Sequence, residues 1–87
     1  MKVSLFSSAS CQECKKIRPV MKRMASRYGF EYEDYVVESG VEPFIRNRVT
    51  GTPVMIVFDG EVEKGRFTGH QTETSIERFL QKFGVIK

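Results

Sequence analysis

Residues 10–19 read SCQECKKIRP, and this segment indicates both the fold and the chemistry of the chain. The stretch before it, residues 2–6, is mostly apolar and includes β-branched and aromatic side chains, which is typical of a strand. The residues after it continue an amphipathic pattern that predicts a helix, with Ser10 as its N-cap. Both cysteines of the chain, Cys11 and Cys14, are therefore expected where a strand passes into a helix.

A cysteine at the start of a helix is favoured as a thiolate. The first backbone N–H groups of a helix lack partners inside it, and the helix dipole adds partial positive charge there. Both effects stabilise a thiolate at Cys11, and the thiolate is the species that attacks a disulfide. Cys14 falls on the apolar stripe of the predicted helix. We therefore expect it to face inward and to resolve a mixed disulfide formed on Cys11.

The residues alone allow three other roles for the cysteine pair. A structural zinc site needs four ligands, and the chain offers Cys11, Cys14, His70 and a carboxylate. Two cysteines acting as small buried apolar residues do not explain Cys11, because a helix start is not an apolar position. A structural disulfide is unusual in a cytoplasmic protein, where such a pair is more often catalytic. The residues therefore favour a redox pair without a bound metal.

The rest of the chain alternates predicted strands and helices. Apolar residues at helical spacing run from Cys14 to Tyr28, and Gly29 should end that helix. Pro19 inside it should kink its axis. Further on, the pattern predicts a strand at residues 30–37, a short helix at 41–47, a hairpin of strands at 54–58 and 61–67, and a closing helix with a capping box of Thr74 and Glu77.

This order of elements, β-α-β-α-β-β-α, predicts an α/β fold. Strands joined by a helical crossover are parallel, whereas the two strands of a hairpin are antiparallel. The expected architecture is a mixed four-stranded sheet with helices on both faces.

A second candidate feature, Gly51-Thr52-Pro53, stands immediately before the apolar run at residues 54–58. Proline at the first position of a central strand is allowed but unusual. With a cis Thr52–Pro53 bond, the backbone of Thr52 would lie against the Cys11 end of the first helix and could pair with an extended substrate. The alternative is an ordinary trans proline, because only about 5–6% of such bonds are cis in folded proteins.

Length and composition exclude several classes of protein. The chain has 87 residues, a length that suits a single domain over residues 1–87 and is too short for a two-half dinucleotide fold. Its net charge is +3. Its longest apolar run, residues 54–58, is far below the roughly 20 residues of a membrane-spanning helix. The first residues also lack the apolar core of a secretory signal. We therefore expect a cytoplasmic monomer that does not attach to a membrane.

The predicted first helix is rich in basic residues. Nucleic-acid binding is not expected from them, because no aromatic residues interleave with the charges. They are interpreted as a solvated helix face, or as a field that steers acidic protein partners or glutathione. The residues are Lys15, Lys16, Arg18, Lys22, Arg23 and Arg27.

Three segments together resemble the thioredoxin family. Residues 11–19 are similar to its active-site segment, and residues 48–54, RVTGTPV, are similar to its cis-proline loop. Residues 58–62 and the later Gly69 are similar to its terminal hairpin and the glycine that follows it. The resemblance runs from residue 1 to about residue 83 and implies a thioredoxin fold.

The resemblance also implies a function, that of a small dithiol–disulfide oxidoreductase acting on protein disulfides. Cys11 would be the nucleophile and Cys14 the resolving thiol, and their redox-active disulfide would take the place of a cofactor. A thioredoxin reductase-like protein would supply electrons. The substrate chain would be held by Gly51, Thr52, a cis Pro53 and Gly69.

Several residues depart from the family pattern. Ser10 replaces the tryptophan that usually precedes the motif, and Leu5 stands where thioredoxins usually bury an aspartate, so a proton acceptor for the resolving thiol is missing there. Gln12 and Glu13 form an unusual middle pair and are expected to tune the redox site together with Lys15. The negative charge of Glu13 opposes a nearby thiolate, whereas the lysine favours it.

Two alternative functions remain open from the sequence. The sequence has no counterpart of the amino-terminal strand and helix of full-length thioredoxins, and in this it resembles glutaredoxins, which are recycled by glutathione. Against that, residues 70–73, HQTE, lack the paired acids expected for gripping glutathione. The other alternative is a thioredoxin-fold module that binds a partner or a metal without catalysis.

Overall fold

The two most apolar segments of the chain form the two central strands of the sheet. Strands β1, Lys2–Ser7, and β3, Val54–Asp59, are buried along most of their length. Strands β2, Glu31–Val36, and β4, Val62–Thr68, are more polar and more exposed. Central strands are covered on both faces and therefore take the continuous apolar runs. The computed structural model describes all 87 residues.

Three helices complete the structure: α1 at Gln12–Tyr28, α2 at Glu42–Arg46 and α3 at Glu73–Lys82. A 3₁₀ turn, Val37–Ser39, follows β2. The predicted order of strands and helices is confirmed. None of the helices combines the length and the apolar character needed to cross a bilayer.

The sheet has the strand order β2-β1-β3-β4. Strand β1 runs parallel to β2 and antiparallel to β3, and β3 is antiparallel to β4. The predicted mixed four-stranded sheet is therefore confirmed. In this register Leu5 lies between Asp34 on β2 and Met55 on β3.

The sheet separates two hydrophobic cores. The larger core lies under α1 and α3 and includes Val3, Leu5, Met21, Met55, Val57, Ile76 and Leu80. The smaller core lies under α2 and consists of Phe6, Phe44, Val49, Val54 and Ile56. Because alternate residues of β1 and β3 enter opposite cores, each central strand is anchored from both sides, and the predicted helices on both faces are confirmed.

Helix α1 buries one stripe and exposes the other side. Its buried residues are Cys14, Ile17, Met21 and Met24. Tyr28, the last member of the predicted stripe, remains 39% exposed at the end of the helix. Gly29 ends the helix with φ 75° and donates its N–H to the Ala25 carbonyl, as the sequence predicted. Pro19 lies inside the helix on its exposed side.

Some predicted boundaries are wrong. Helix α3 begins at Glu73 with Thr72 as its N-cap, and the Thr72 hydroxyl accepts the Ser75 N–H at 3.1 Å. Thr74 lies inside the first turn, so the predicted capping box of Thr74 and Glu77 does not form. Strand β2 stops one residue early because Val37 enters the 3₁₀ turn.

The last strand and helix meet through aromatic rings. Phe79 packs edge-to-face on Phe67 of β4 at 4.7 Å and on Phe83 at 5.0 Å between ring centroids. The Phe83 ring lies directly over Gly65, so close that a methyl group on Gly65 would overlap it. A side chain at this position would therefore force the Phe83 ring, just after α3, to move.

Candidate active site

Cys11 and Cys14 form a disulfide at the start of α1, with their Cα atoms 5.2 Å apart. Cys11 itself is the N-cap, in an extended conformation, and its Sγ accepts the Cys14 N–H at 3.1 Å. The prediction of Ser10 as N-cap is therefore wrong, because the helix starts one residue later than the pattern indicated. The N–H that contacts Sγ is one of those left unpaired at a helix start, and it is placed to stabilise a thiolate there.

The two sulfurs differ in accessibility. Cys14 has no exposed surface, whereas Cys11 is partly exposed at the end of the loop that follows β1. An external disulfide can therefore reach Cys11 but not Cys14. Gln12 and Lys15 lie on the exposed side of the first turn.

The segment Gly51-Thr52-Pro53 lies at the entry to β3. The Thr52–Pro53 bond is cis, and Pro53 is buried while Gly51 is exposed. The Pro53 carbonyl accepts the N–H of Gly69 at 2.9 Å, which places the end of β4 beside this segment. A hollow of about 290 Å³ opens next to it and is lined also by Arg48 and Arg66.

A larger apolar groove joins the loop before Cys11 to Thr52. Its walls include Phe44 and Ile45 of α2 and Val41 just before it, and Ser8 and Thr52 lie at its active-site end. We name this cavity of about 530 Å³ the α2 groove. Val41 is 56% exposed and Ile45 is 72% exposed, although both are apolar. This surface was not predicted from the sequence, where the available signal was two apolar residues, one just before the short helix and one within it.

Glu13, in the middle of the cysteine motif, contacts a residue from the far end of the chain. Its Oε2 contacts the Nδ1 atom of His70, and its Oε1 lies 3.5 Å from Lys16 Nζ. The hydrogen bond with His70 is the largest cause that lowers the pKa of Glu13. The sequence indicates His70 as a polar loop residue after Gly69, near the segment at Pro53, but its contact with Glu13 could not be predicted, because residues this far apart in the chain cannot be paired from spacing.

A charged cluster lies beside the buried end of the motif. Arg18, one helical turn after Cys14, donates from Nε to Asp34 on β2 and from Nη2 to the Ser7 hydroxyl at 2.8 Å. Ser7 Oγ also lies 3.1 Å from Asp34 Oδ1. Ser7 is fully buried, and the side chains of Arg18 and Asp34 are 27% and 19% exposed. A carboxylate is thus present on the α1 side of the sheet, on the strand next to Leu5.

Tyr32 extends this polar region along β2. Its hydroxyl is buried and makes no hydrogen bond. Burial raises the pKa of Tyr32, and the charge of Asp34 raises it further. The phenol therefore stays neutral at physiological pH and carries no charge toward the site.

The potential zinc ligands are not brought together. No group of three or more His, Cys, Asp and Glu side chains lies close enough to hold a metal ion. His70, the one candidate outside the motif, contacts Glu13 instead.

Comparisons with known proteins agree with this geometry. A sequence model of the family described as Thioredoxin domain matches residues 1–81. The chain is similar to thioredoxin 1 of the thermophilic eubacterium Thermosipho africanus, at 25% identity and a TM-score of 0.80, over 97% of this chain and 99% of that one. No curated protein matches the chain.

Two structures with lower sequence identity to this chain share the fold. Fasciola hepatica thioredoxin is 23% identical with a TM-score of 0.85, over 93% of this chain and 78% of that one. Oxidised thioredoxin O2 of Arabidopsis thaliana is 20% identical with a TM-score of 0.82, over 93% and 72% of the two chains. The fold expected from the sequence is therefore confirmed.

Proposed function

This chain belongs to the thioredoxin family, and from that membership we propose that it reduces disulfides in protein substrates through its cysteine pair. The observation that supports this most directly is the asymmetry of the pair. Cys11 is a partly exposed sulfur that accepts a hydrogen bond from a helix N-terminus, and Cys14 is a buried sulfur already bonded to it. One sulfur is suited to attack and the other to resolve.

The reaction starts from the reduced dithiol. The Cys11 thiolate attacks one sulfur of a substrate disulfide, forms a mixed disulfide, and displaces the other substrate sulfur as a thiolate. Cys14, after losing its proton, attacks Cys11 Sγ, closes the Cys11–Cys14 disulfide and releases the second substrate sulfur. Two electrons pass from the protein to the substrate, and the two released substrate thiolates take up protons.

Substrate would bind across the loop at Pro53. We assign this role to Gly51, Thr52, Pro53 and Gly69, because they line one hollow and the Gly69–Pro53 hydrogen bond joins the two segments there. The α2 groove continues from Thr52 and would take an apolar side chain of the substrate. Gln12, Glu13 and Lys15 would tune the potential of the disulfide from the first turn of α1.

The oxidised protein must then be reduced again. We propose a thioredoxin reductase-like protein as the electron donor, with glutathione as the alternative. We place the reaction in the cytoplasm, where thiols are kept reduced.

The proposal is tested with a protein disulfide substrate such as insulin and purified variants of the chain. We expect the native protein to accelerate insulin reduction by dithiothreitol and Cys11→Ser to lose the acceleration. When reduced Cys14→Ser is mixed with insulin after dithiothreitol has been removed, it should accumulate a mixed disulfide detectable by mass. Release of reduced insulin by Cys14→Ser with no added thiol present would contradict the proposed mechanism. If glutathione and glutathione reductase alone sustain rapid turnover, the glutathione-coupled alternative replaces the reductase-coupled one.

A further inference from the structure

The contact between Glu13 and His70 connects the two segments that flank the candidate active site. Glu13 stands between the two cysteines, in the first turn of α1. His70 directly follows Gly69, whose N–H is bonded to the Pro53 carbonyl. The carboxylate–imidazole contact therefore links the cysteine motif to the loop at Pro53 across 57 residues of sequence.

Glu13 lies within the cysteine motif, in the same first turn of α1 that begins at the Cys11 N-cap. A negative charge near a thiol disfavours its thiolate, and Glu13 is two residues from Cys11. The strength of this effect depends on how well the carboxylate is neutralised by its neighbours. Lys16 is one neighbour, with its Nζ 3.5 Å from Oε1, whereas Nδ1 of His70 lies 2.5 Å from Oε2. His70 is the closer partner.

We propose that His70 is a positioning residue that controls, through Glu13, how readily Cys11 forms its thiolate. When His70 is protonated, its positive charge balances the carboxylate, and Cys11 ionises more easily. When His70 is neutral, the hydrogen bond to Glu13 remains possible but the negative charge is no longer balanced. The inference rests on the proposed redox function, because it assigns His70 a part in that same site.

The pH dependence of this effect comes from the residue type. Histidine is the side chain that ordinarily changes charge between about pH 5 and 8. The pKa of Glu13 is lowered, mainly by the His70 hydrogen bond, so the carboxylate stays charged across that range. The charged side chain next to Glu13 on α1 is Lys16, and Glu73, three residues after His70 at the start of α3, is paired with Arg23. Arg48 and Arg66 line the hollow beside Gly69, and Arg66 is paired with Glu63.

The test measures Cys11 thiolate directly rather than turnover. The reduced protein is reacted with iodoacetamide between about pH 5 and 9, and the rate of modification at Cys11 is read by peptide mass. His70→Asn keeps a polar group but cannot become positive. We expect its Cys11 rate to be about threefold lower than native near pH 6 and its pH profile to shift toward higher pH.

Two further variants identify the route of the effect. In a Glu13→Gln background, His70→Asn should change the rate much less, because the charge through which His70 acts is gone. Glu61→Gln, which removes an exposed carboxylate at the hairpin turn, is the matched control and should follow the native profile. His70 and Glu13 side chains are 64% and 34% exposed, so the variants should fold, which circular dichroism checks.

The outcomes separate this inference from the proposed function. A His70→Asn profile that superimposes on the native one, or an equal shift in the Glu13→Gln background, overturns the role of His70. A shifted profile in a protein that does not reduce insulin supports the role of His70 and removes the proposed function. A simple loss of insulin turnover in His70→Asn with an unshifted profile indicates a structural contact only, which also overturns the inference.

Discussion

Leu5 on β1 lies directly opposite Asp34 on β2, and both side chains face α1. Leu5 is fully buried in the core under that helix, whereas Asp34 is held by Arg18 from the helix itself. The central strand β1 thus has Leu5 at the position where an aspartate was expected. A carboxylate, that of Asp34, lies instead on the neighbouring strand β2, where the Arg18 guanidinium balances its charge. The site keeps a carboxylate without burying an unpaired charge.

The Arg18–Asp34 pair should contribute to stability. We expect Asp34→Asn and Arg18→Met each to lower the free energy of unfolding by about 1–3 kcal/mol, because each leaves a partly buried partner without its counter-charge. The double variant should lose less than the sum of the two single losses. Urea unfolding at neutral pH measures all three.

An exposed ion pair provides the control for this cycle. Glu42 and Arg46 have side chains that are 81% and 61% exposed, so Glu42→Gln should change stability by less than about 0.5 kcal/mol. Strict additivity in the Arg18 and Asp34 double variant would show that the two residues act independently.

The start of α3 gives a second prediction. Thr72→Ala should lower stability by about 1 kcal/mol, because the Thr72 hydroxyl accepts the Ser75 N–H at the helix start. Thr74→Ala, two residues on, should have little effect, since Thr74 is exposed in the first turn and makes no side-chain hydrogen bond there. Thermal unfolding of the two variants compares them directly, and a larger loss for Thr74→Ala would be inconsistent with the observed N-cap.

The dependence of stability on pH should include a contribution from Glu63. Arg66 donates to both carboxylate oxygens of Glu63, each at 2.6 Å, and this pairing lowers the pKa of Glu63 in the folded protein. The unfolded chain then binds a proton at higher pH than the folded one, so stability is lost as pH falls from about 5 toward 3.

Replacing Glu63 tests this contribution. Glu63→Gln should show a smaller loss of stability across the same acid range, as measured by urea unfolding at each pH. Glu61→Gln, at the exposed hairpin turn, should retain the native loss. An equal acid response in Glu63→Gln and the native protein would remove Glu63 from the explanation.

The α2 groove should affect protein substrates more than small ones. Ile45→Ser should raise KM for insulin by about twofold to tenfold, because a substrate side chain would lose apolar contact with the groove. Reaction with a small linear disulfide such as cystine should not change. Ile45 is 72% exposed, so stability should be unaffected.

A matched variant on another surface completes this experiment. Val62→Ser removes a similarly exposed apolar residue, 62% exposed, from the start of β4. It should leave KM for insulin unchanged. Equal effects of the two variants would mean that the α2 groove has no special part in substrate binding.

Local patterns predicted the elements and the cysteine geometry, because these depend on neighbours within a helical turn or an alternating strand. The stripe of α1 and the turn at Gly29 are of this kind. The Arg18–Asp34 pair depends on the parallel register of β1 and β2, which no local pattern encodes. The Glu13–His70 contact depends on how α3 and its preceding loop close over the sheet, and it was likewise beyond the reach of spacing. The N-cap of α3 was misassigned because Thr72 and Thr74 are equally plausible cap residues until the backbone of the loop is known.

The strand order also determines which strands lie at the edges of the sheet, where a strand of another copy could pair. The two outer strands are the ones that could accept an additional strand through their unpaired backbone groups. Strand β2 carries Glu31, Glu33 and Asp34, and β4 carries Glu63, Lys64 and Arg66 beside a break in its register. Charged side chains and irregular pairing at an outer strand oppose edge-to-edge aggregation. The apolar strands β1 and β3 are thus central in the sheet, and the charged outer strands disfavour the addition of a strand from another copy of the protein.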